Sequence, residues 1–352
     1  MVEPGTLREV SKLAGVAPST ASRVLRGLET RVAVTPETRS RILQAARKVG
    51  YRPNPIARGL RGARTGLLGV IVRDAGDPLF NAALDVLVSE CRRAGWHVVL
   101  AHAQSSSEQA LDLVEVLETR YCEAVVIAGD LPDDSRLWKQ LEESARVPTL
   151  GIFQGQRRLS IPTINIDNGR GAELAMRHLY ELGHRRIAFI GHSWGCGHME
   201  RGAAYDDFVT RHALPAPPAY RQMPPHSPEA GREAGGVLLS LPEPPTAIFA
   251  ATDRLAIAAM SAAYQACVRV PRDLSVVGFD DIPAAATSSP PLTTVRQPLR
   301  QIVHLAIEDL VRRVREPGAP VTPRTYLDPG LTIRASTAPA PVAPARDGVA
   351  SR

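Results

Sequence analysis

The sequence lacks the features of a membrane or secreted protein. It contains no apolar run that approaches the ~20 residues needed to cross a bilayer, so we expect no transmembrane helix. It begins Met-Val-Glu-Pro-Gly, without the basic and apolar regions of a secretory signal, which favours a cytoplasmic protein. The four cysteines, Cys91, Cys122, Cys196 and Cys267, are scattered and form no CxxC pair, which favours reduced thiols.

Signatures of common enzymes are missing as well. Neither the dinucleotide pattern G-x-G-x-x-G nor a phosphate loop ending in Gly-Lys-Ser/Thr occurs, and no Ser-His-Asp set suggests itself. The stretch from His192 to His198 contains two histidines and a cysteine, but no second cluster of ligand residues accompanies it, which argues against a four-ligand zinc site. We therefore expect no catalytic residue, no metal and no cofactor.

Positive charge is concentrated at one end of the chain. Residues 1–65 carry 13 Lys and Arg against 4 Asp and Glu, whereas the remaining 287 residues carry 29 against 32. Charge that serves only solubility would be spread over the whole chain. Charge that neutralises phosphates is instead concentrated in the module that binds them. The distribution predicts a basic, nucleic-acid-binding head on a mildly acidic body.

The segment from Thr6 to Leu25 has the pattern of two short helices joined by a turn. Thr6 and Glu9 have the spacing of a capping box, and Gly15 can adopt the left-handed conformation that ends a helix. The second helix begins at Pro18, and its outward residues are Ser19, Thr20, Ser22 and Arg23. These side chains can reach phosphates and base edges, so the pattern favours a helix-turn-helix over a solvated helical hairpin.

A third helix is predicted to begin at Thr35-Pro36-Glu37 and to end at Gly50, because it opens with a cap, a proline and an acid. Residues 51–65 combine two prolines with basic residues and few apolar ones. Such a segment is too weak to fold alone and is expected to fold on contact with a partner.

From Gly66 onward the sequence alternates between strand and helix patterns. Strands are predicted at 67–72, 96–101, 124–128, 149–153, 186–191, 246–250 and 274–279, and helices at 83–94 and 171–182. Repeated βα units imply parallel sheets with helices on both faces and ligands beyond the carboxyl ends of the strands. Residues 335–352 are rich in Ala, Pro and Ser and are predicted to be a disordered tail.

Several motifs in the head and body resemble those of one family in the same order. They are Thr6 to Leu25, Thr35-Pro-Glu-Thr-Arg39, Gly50-Tyr-Arg-Pro-Asn-Pro-Ile-Ala-Arg58, Asn165-Ile-Asp-Asn168, Leu182-Gly-His-Arg-Arg-Ile-Ala188, Val276-Val-Gly-Phe-Asp-Asp-Ile282 and Pro290-Pro-Leu-Thr-Thr-Val-Arg-Gln297. Over about residues 6–334 the chain resembles the lactose-repressor (LacI/GalR) family of bacterial transcription regulators.

The resemblance implies an α-helical helix-turn-helix headpiece at 1–50, a hinge helix at 51–65 and a two-lobed α/β core at 66–334, like the periplasmic sugar-binding proteins. The chain would cross between lobes near Thr163, Thr294 and Pro323. The N-lobe would then comprise about 66–163 and 295–322, and the C-lobe about 164–293 and 323–334. A small effector between the lobes would change how the two heads of a homodimer meet DNA.

The resemblance also implies a set of DNA contacts. Arg23 matches a residue that reaches base edges, with a phosphate contact or surface ion pair as the alternative. Leu60, with Ala57 beside it, matches a leucine wedged into the minor groove. Pro18 and Ser19 occupy the two variable specificity positions and have few donors. The matches to phosphate-binding residues, several of which also suit helix caps, are Thr6, Thr20, Ser22, Thr35 and Asn54.

The effector contacts implied by the resemblance lie in the body. They are Asp77, Phe80, Asp167, Trp194, Arg201, Asp253 and Asp280. Arg201 matches an arginine that binds effector hydroxyls or a carboxylate, Asp280 matches an acid that accepts from sugar hydroxyls, and Phe80 would offer an aromatic face to a sugar ring. The alternatives are a capped turn for Asp280 and a loop-filling role for Trp194. Thr252 stands where the family usually has asparagine, which argues against a standard hexose pose.

The sequence thus predicts a cytoplasmic, dimeric or tetrameric transcription repressor that binds a palindromic operator and a sugar-like effector, and that joins the nucleoid when bound to DNA. Two other classes are open. A solute-binding receptor would fit the body alone, but the basic head argues against it. A doubly wound α/β enzyme would fit the strand pattern, but the expected motifs are missing.

Overall fold

The computed structural model describes residues 5–25, 34–51, 64–119, 122–131, 135–155, 161–193, 195–225 and 227–341. The chain divides into two compact units, Met1–Thr65 and Gly66–Arg352.

The first unit, the head, contains three helices in its described residues: α1 (Leu7–Ala14), α2 (Pro18–Leu25) and α3 (Pro36–Lys48). The predicted capping box is present, because the Thr6 hydroxyl accepts from the Glu9 amide at 3.3 Å and the Glu9 carboxylate accepts from the Thr6 amide at 2.6 Å. Gly15 ends α1 at φ 65°. Val10, Ala21 and Ile42 are fully buried where the three helices meet.

The second unit, the core, alternates strands and helices. Its helices are α4 (Pro78–Ala94), α5 (Ser107–Thr119), α6 (Ser135–Ser144), α7 (Asn168–Glu181), α8 (Cys196–Arg211), α9 (Pro228–Leu239), α10 (Asp253–Gln265), α11 (Pro283–Thr287) and α12 (Leu299–Arg315). Its strands are β1 (Leu67–Val72), β2 (His97–His102), β3 (Ala124–Ala128), β4 (Thr149–Ile152), β5 (Thr163–Ile166), β6 (Ile187–Ile190), β7 (Arg221–Gln222), β8 (Ala247–Ala250), β9 (Ser275–Asp280), β10 (Thr293–Arg296), β11 (Arg324–Leu327) and β12 (Gly330–Thr332).

These strands form two six-stranded sheets, each with helices packed against it. The N-lobe sheet has the order β11-β5-β4-β3-β1-β2, and the C-lobe sheet has the order β12-β10-β9-β8-β6-β7. The pairs are parallel except for the antiparallel pair β10 and β12. The predicted two-lobed α/β core with parallel sheets is confirmed.

The chain crosses between the lobes at three places, each a few residues later than predicted. The crossings follow β5, β10 and β11, at 166–168, 296–299 and 327–330, because β5 and β11 pair within the N-lobe sheet and β10 within the C-lobe sheet. The expected positions near Thr163, Thr294 and Pro323 mark the starts of these strands rather than their ends. Strands of about four residues have a weak local signal. Their pairing with other strands, rather than their own sequence, decides which sheet they join.

Part of the predicted disordered tail is ordered. Residues 335–341 are described and lie against the C-lobe, whereas 342–352 lie outside the described residues. Ser336 is fully buried, and its hydroxyl donates to the Val276 carbonyl at 2.6 Å and accepts from the Thr293 amide at 2.8 Å. The Ala340 amide donates to the Leu182 carbonyl at 2.8 Å. The prediction of disorder from composition was wrong for residues 335–341. An Ala- and Pro-rich segment can be ordered in an extended conformation when other elements supply hydrogen-bond partners for its backbone.

No helix of the described ranges combines the length and hydropathy needed to span a bilayer.

Truncation after Arg334 should lower the melting temperature of the protein relative to truncation after Pro341. Each buried hydrogen bond contributes about 1 kcal/mol net, so loss of this segment should cost about 3 kcal/mol and several degrees. Differential scanning calorimetry of the two truncated proteins checks this, with Ser336→Ala in the full chain expected to show part of the loss. Equal melting temperatures would contradict a stabilising role for 335–341.

Candidate functional site

The core contains a polar cleft of about 470 Å³ between the carboxyl ends of its two sheets. Its lining residues follow the ends of strands: Arg73 follows β1, Asp130 follows β3 and Phe153 follows β4. On the C-lobe side Thr252 follows β8, Asp280 ends β9 and Gln297 follows β10. Parallel strands bring such residues together because all their carboxyl ends meet at one edge of the sheet.

A buried arginine organises the C-lobe wall of this cleft. Arg201, on α8, donates from Nε to the Asn168 side-chain oxygen at 2.9 Å and from Nη1 to the Ala251 carbonyl at 2.5 Å. The same Nη1 lies 3.4 Å from Oδ1 of Asp280, and the guanidinium carbon stands 3.5 Å from the centre of the Phe279 ring. These contacts hold the guanidinium in one orientation at the ends of β8 and β9.

Asp280 faces Arg201 as the acidic partner. It is 4% exposed, and Gln297 donates to its Oδ1 at 2.7 Å. Burial raises the pKa of Asp280 from its ordinary value of 3.8 to about 7, although the positive charge of Arg201 opposes the rise. Asp280 therefore changes protonation near neutral pH.

The N-lobe wall contains a second ion pair beside an aromatic ring. Arg73 donates to the Asp77 carboxylate at 2.6 Å, and both side chains are buried. The Arg73 guanidinium carbon lies 4.8 Å from the centre of the Phe80 ring, and the Phe80 and Phe153 ring centres are 6.2 Å apart. The N-lobe wall therefore combines the apolar surface of two aromatic rings with an ion pair whose charges cancel.

Four of the predicted effector residues line the cleft, namely Asp77, Phe80, Arg201 and Asp280. Asp167 and Asp253 do not. Asp167 is the N-cap of α7, where its carboxylate accepts from the Arg170 amide at 2.8 Å. Asp253 is fully buried beneath the cleft residues, and its carboxylate accepts from the Ile282 amide at 2.8 Å and from the Thr294 hydroxyl. Trp194 lies outside the described residues.

Several cleft residues were missed by the sequence prediction. They include Arg73, Asp130, Asn165, Asn168, His198, Thr252 and Gln297. A sequence signal was available for Arg73, Asp130 and Thr252, because each lies within two residues of the end of a predicted strand. Asp253 was chosen instead of its neighbour Thr252, although Thr252 is the residue that lines the cleft and also caps α10.

The head presents polar side chains on α2. Pro18, Ser19 and Arg23 are exposed, and Thr20 and Ser22 are half-buried. Thr6 and Thr35 are exposed and cap α1 and α3, so both have a structural role that does not depend on DNA binding. Asn54, Ala57 and Leu60 lie outside the described residues, as does nearly all of the predicted hinge.

No group of three His, Cys, Asp or Glu side chains able to hold a metal occurs in the part of the chain that the structure describes. The His192 and His198 rings are 5.5 Å apart. Cys91, Cys122 and Cys267 are free thiols, and burial raises the pKa of Cys91 to about 12 and that of Cys122 to about 11. The two buried thiols are therefore protonated and unreactive at neutral pH.

Comparisons with known proteins agree with this architecture. Residues 6–54 match the model of bacterial regulatory proteins, lacI family, and residues 176–337 match a periplasmic binding protein-like domain. The chain is 32% identical to the HTH-type transcriptional repressor CytR of Escherichia coli (strain K12) over 84% of this chain and 86% of CytR. It is 30% identical to the HTH-type transcriptional repressor PurR of Haemophilus influenzae (strain PittGG) over 94% of this chain and 98% of PurR.

Solved structures show the same relationship. The chain superposes on the Lac repressor dimer bound to operator and the anti-inducer ONPF with a TM-score of 0.85 at 26% identity, covering 96% of this chain and 100% of that one. A helix-turn-helix head and a two-lobed core with a polar cleft define a DNA-binding transcription regulator with an effector-binding domain. The chain belongs to the LacI family, and like its repressor relatives it is not an enzyme.

Arg201→Met should destabilise the core by about 3–5 kcal/mol, the usual cost of removing one partner of a buried ion pair. The loss should be larger at pH 8 than at pH 6. Asp280 has a raised pKa in the folded state, so it is mainly neutral at pH 6, whereas at pH 8 its charge would be left without a cation.

Urea unfolding at both pH values measures this difference. The double variant Arg201→Met, Asp280→Asn should recover most of the loss at pH 8, because no buried charge remains at this position. An equal loss at both pH values would show that Arg201 does not compensate the charge of Asp280.

Proposed function

We propose that the protein is a homodimeric repressor that binds a palindromic operator and releases or engages it when a neutral, hydroxyl-rich, sugar-like molecule occupies the cleft. It acts in the cytoplasm and at the nucleoid when bound to DNA. The observation that carries the effector class is the charge balance of the cleft: both arginines that line it are ion-paired.

This charge balance disfavours an anionic effector. Arg73 is neutralised by Asp77 and Arg201 by Asp280, and Asp130 adds a further acid to the lining. A phosphate or carboxylate would have to displace one of these acids or face it directly. A neutral ligand with several hydroxyl groups can instead donate to the carboxylates and accept from the amides and guanidinium groups.

The apolar wall supports a ring-shaped ligand. Phe80 is 3% exposed, and its ring lies beside that of Phe153. A pyranose, a furanose or a nucleoside base can place an apolar face on such a surface while its polar groups reach the C-lobe wall. We assign binding roles to Asp77, Phe80, Arg201 and Asp280, and add Arg73, Asn168, Thr252 and Gln297.

DNA binding is assigned to the exposed face of α2 and to the hinge. Arg23 is the long cation on that face, so we propose that it reads a base edge. Ser19, Thr20 and Ser22 would bind phosphates or nearby base edges through their hydroxyls. Leu60, with Ala57, would insert into the minor groove at the centre of the operator, where two hinges of a dimer meet.

Neutral sugars and nucleosides should raise the melting temperature of the protein, whereas their phosphate and carboxylate derivatives should have little effect. Ligand affinity should increase from pH 6 to pH 8, because a ligand hydroxyl donates best to ionised Asp280, whose pKa is about 7. Thermal-shift screening followed by calorimetric titration at both pH values tests this. Asp280→Asn should abolish the pH dependence, and stabilisation by anionic derivatives alone would overturn the assignment.

Leu60→Ala should greatly weaken specific operator binding while leaving the effector-induced thermal shift intact. Loss of the wedge removes the contact that offsets the cost of unstacking and bending the DNA. Gel-shift titration against an operator selected from a random DNA pool measures the change, with Leu43→Ala, at an exposed leucine of α3, as the control. Unchanged affinity for the selected operator would exclude the wedge, and failure to select any DNA would exclude the repressor function.

A further inference from the structure

The cleft acid lies in an unusual stretch of backbone. Asp280 has φ 115° and Asp281 has φ 57°, and neither is glycine. Two consecutive residues with side chains in this region are strained, because the Cβ atom crowds the backbone. Such a conformation persists only where neighbouring groups hold it in place.

One side of this turn is held by an ion pair outside the cleft. Oδ1 of Asp281 accepts from Nη2 of Arg334 at 2.6 Å, and Oδ2 accepts from the Thr332 hydroxyl at 3.2 Å. Both charged side chains are largely buried, at 13% and 19% exposure for Asp281 and Arg334. Arg334 is itself anchored, since Nη1 donates to the Leu292 carbonyl at 2.8 Å and its amide donates to the Thr293 hydroxyl at 2.9 Å.

The other side of the turn is held by a second carboxylate. Asp253 accepts from the Ile282 amide, directly after the strained pair, and from the Thr294 hydroxyl on β10. Asp280 therefore lies between two anchored positions, and neither of the anchoring carboxylates lines the cleft. Thr332 ends β12, the strand that follows the third crossing between the lobes, and Arg334 lies two residues further on.

We infer that Asp281 and Arg334 form a positioning pair that holds the Asp280 carboxylate in the cleft and connects it to the chain that follows the third crossing. If the pair is broken, the turn can relax to an unstrained conformation, and the Asp280 side chain then leaves its place beside Arg201 and Gln297. The consequence for effector binding rests on the proposed function. The positioning itself does not, because it is a property of the unliganded protein.

The position of the Asp280 carboxyl group can be measured without any ligand. Its titration reports its surroundings, namely burial, Arg201 and Gln297 on the C-lobe, and Arg73 and Asp77 on the N-lobe. A ¹³C NMR titration of the full-length protein labelled at aspartate carboxyl carbons would follow it. Asp280→Asn identifies its resonance, and Asp253→Asn identifies that of the other buried carboxyl group with a raised pKa.

In Arg334→Met we expect the Asp280 midpoint to fall by about one pH unit, because the released carboxyl group gains solvent. Arg334→Lys should restore most of the wild-type midpoint. Thr332→Val removes a single hydrogen bond and should give a smaller change in the same direction, so the test remains available if Arg334→Met does not fold. The control is Arg269→Met, which breaks the exposed Arg269 and Asp273 ion pair of the same lobe and should leave the midpoint unchanged.

A lower melting temperature with an unchanged Asp280 midpoint in the Arg334 and Thr332 variants would overturn the inference, since the pair would then only stabilise the fold. Neither DNA nor effector enters this measurement. Its failure would therefore leave the proposed repressor function untouched, and a failure of the effector screen would not affect this result.

Discussion

The cleft depends on the burial of charge where the two sheets present their carboxyl ends. Arg201 is kept in the interior by the Asn168 side chain, the Ala251 carbonyl, the Asp280 carboxylate and the face of Phe279. These contacts come from α7, from the residue after β8 and from β9, so the guanidinium on α8 connects four elements into one wall. A buried charge is costly unless fully paired, and this requirement makes the wall rigid before any ligand arrives.

The three crossings between the lobes connect the cleft to the segments that join the two lobes. The crossings follow β5, β10 and β11. Within a few residues of each crossing lies either a residue that lines the cleft or a residue that holds a cleft residue in place. Asn168 ends the first crossing, Gln297 lies in the second, and Arg334 follows the third by four residues. A ligand that draws the lobes together would therefore act directly on the segments that connect them.

The helices, the buried strands and the charge distribution were predictable because their signals are local. The capping box at Thr6 and the apolar runs of β1 and β3 needed no information from distant parts of the chain. The motifs around Arg201 and Asp280 also led to the cleft through a family resemblance. The short strands β5, β10 and β11 were not predicted, because strands of four residues have a weak local signal. For β11 the partner strand β5 also lies more than a hundred residues earlier in the chain.

A basic helical head, a parallel α/β core and four residues of the cleft could be predicted from local patterns and recognisable motifs. Long-range packing selects which of two neighbouring polar residues lines the cleft. Asp253 is buried as an anchor whereas Thr252 lines the cleft, and Ser336 is part of the C-lobe rather than of a free tail. The physical reason is that burial and hydrogen-bond partners come from strands far apart in the chain, so adjacent polar residues can have opposite roles.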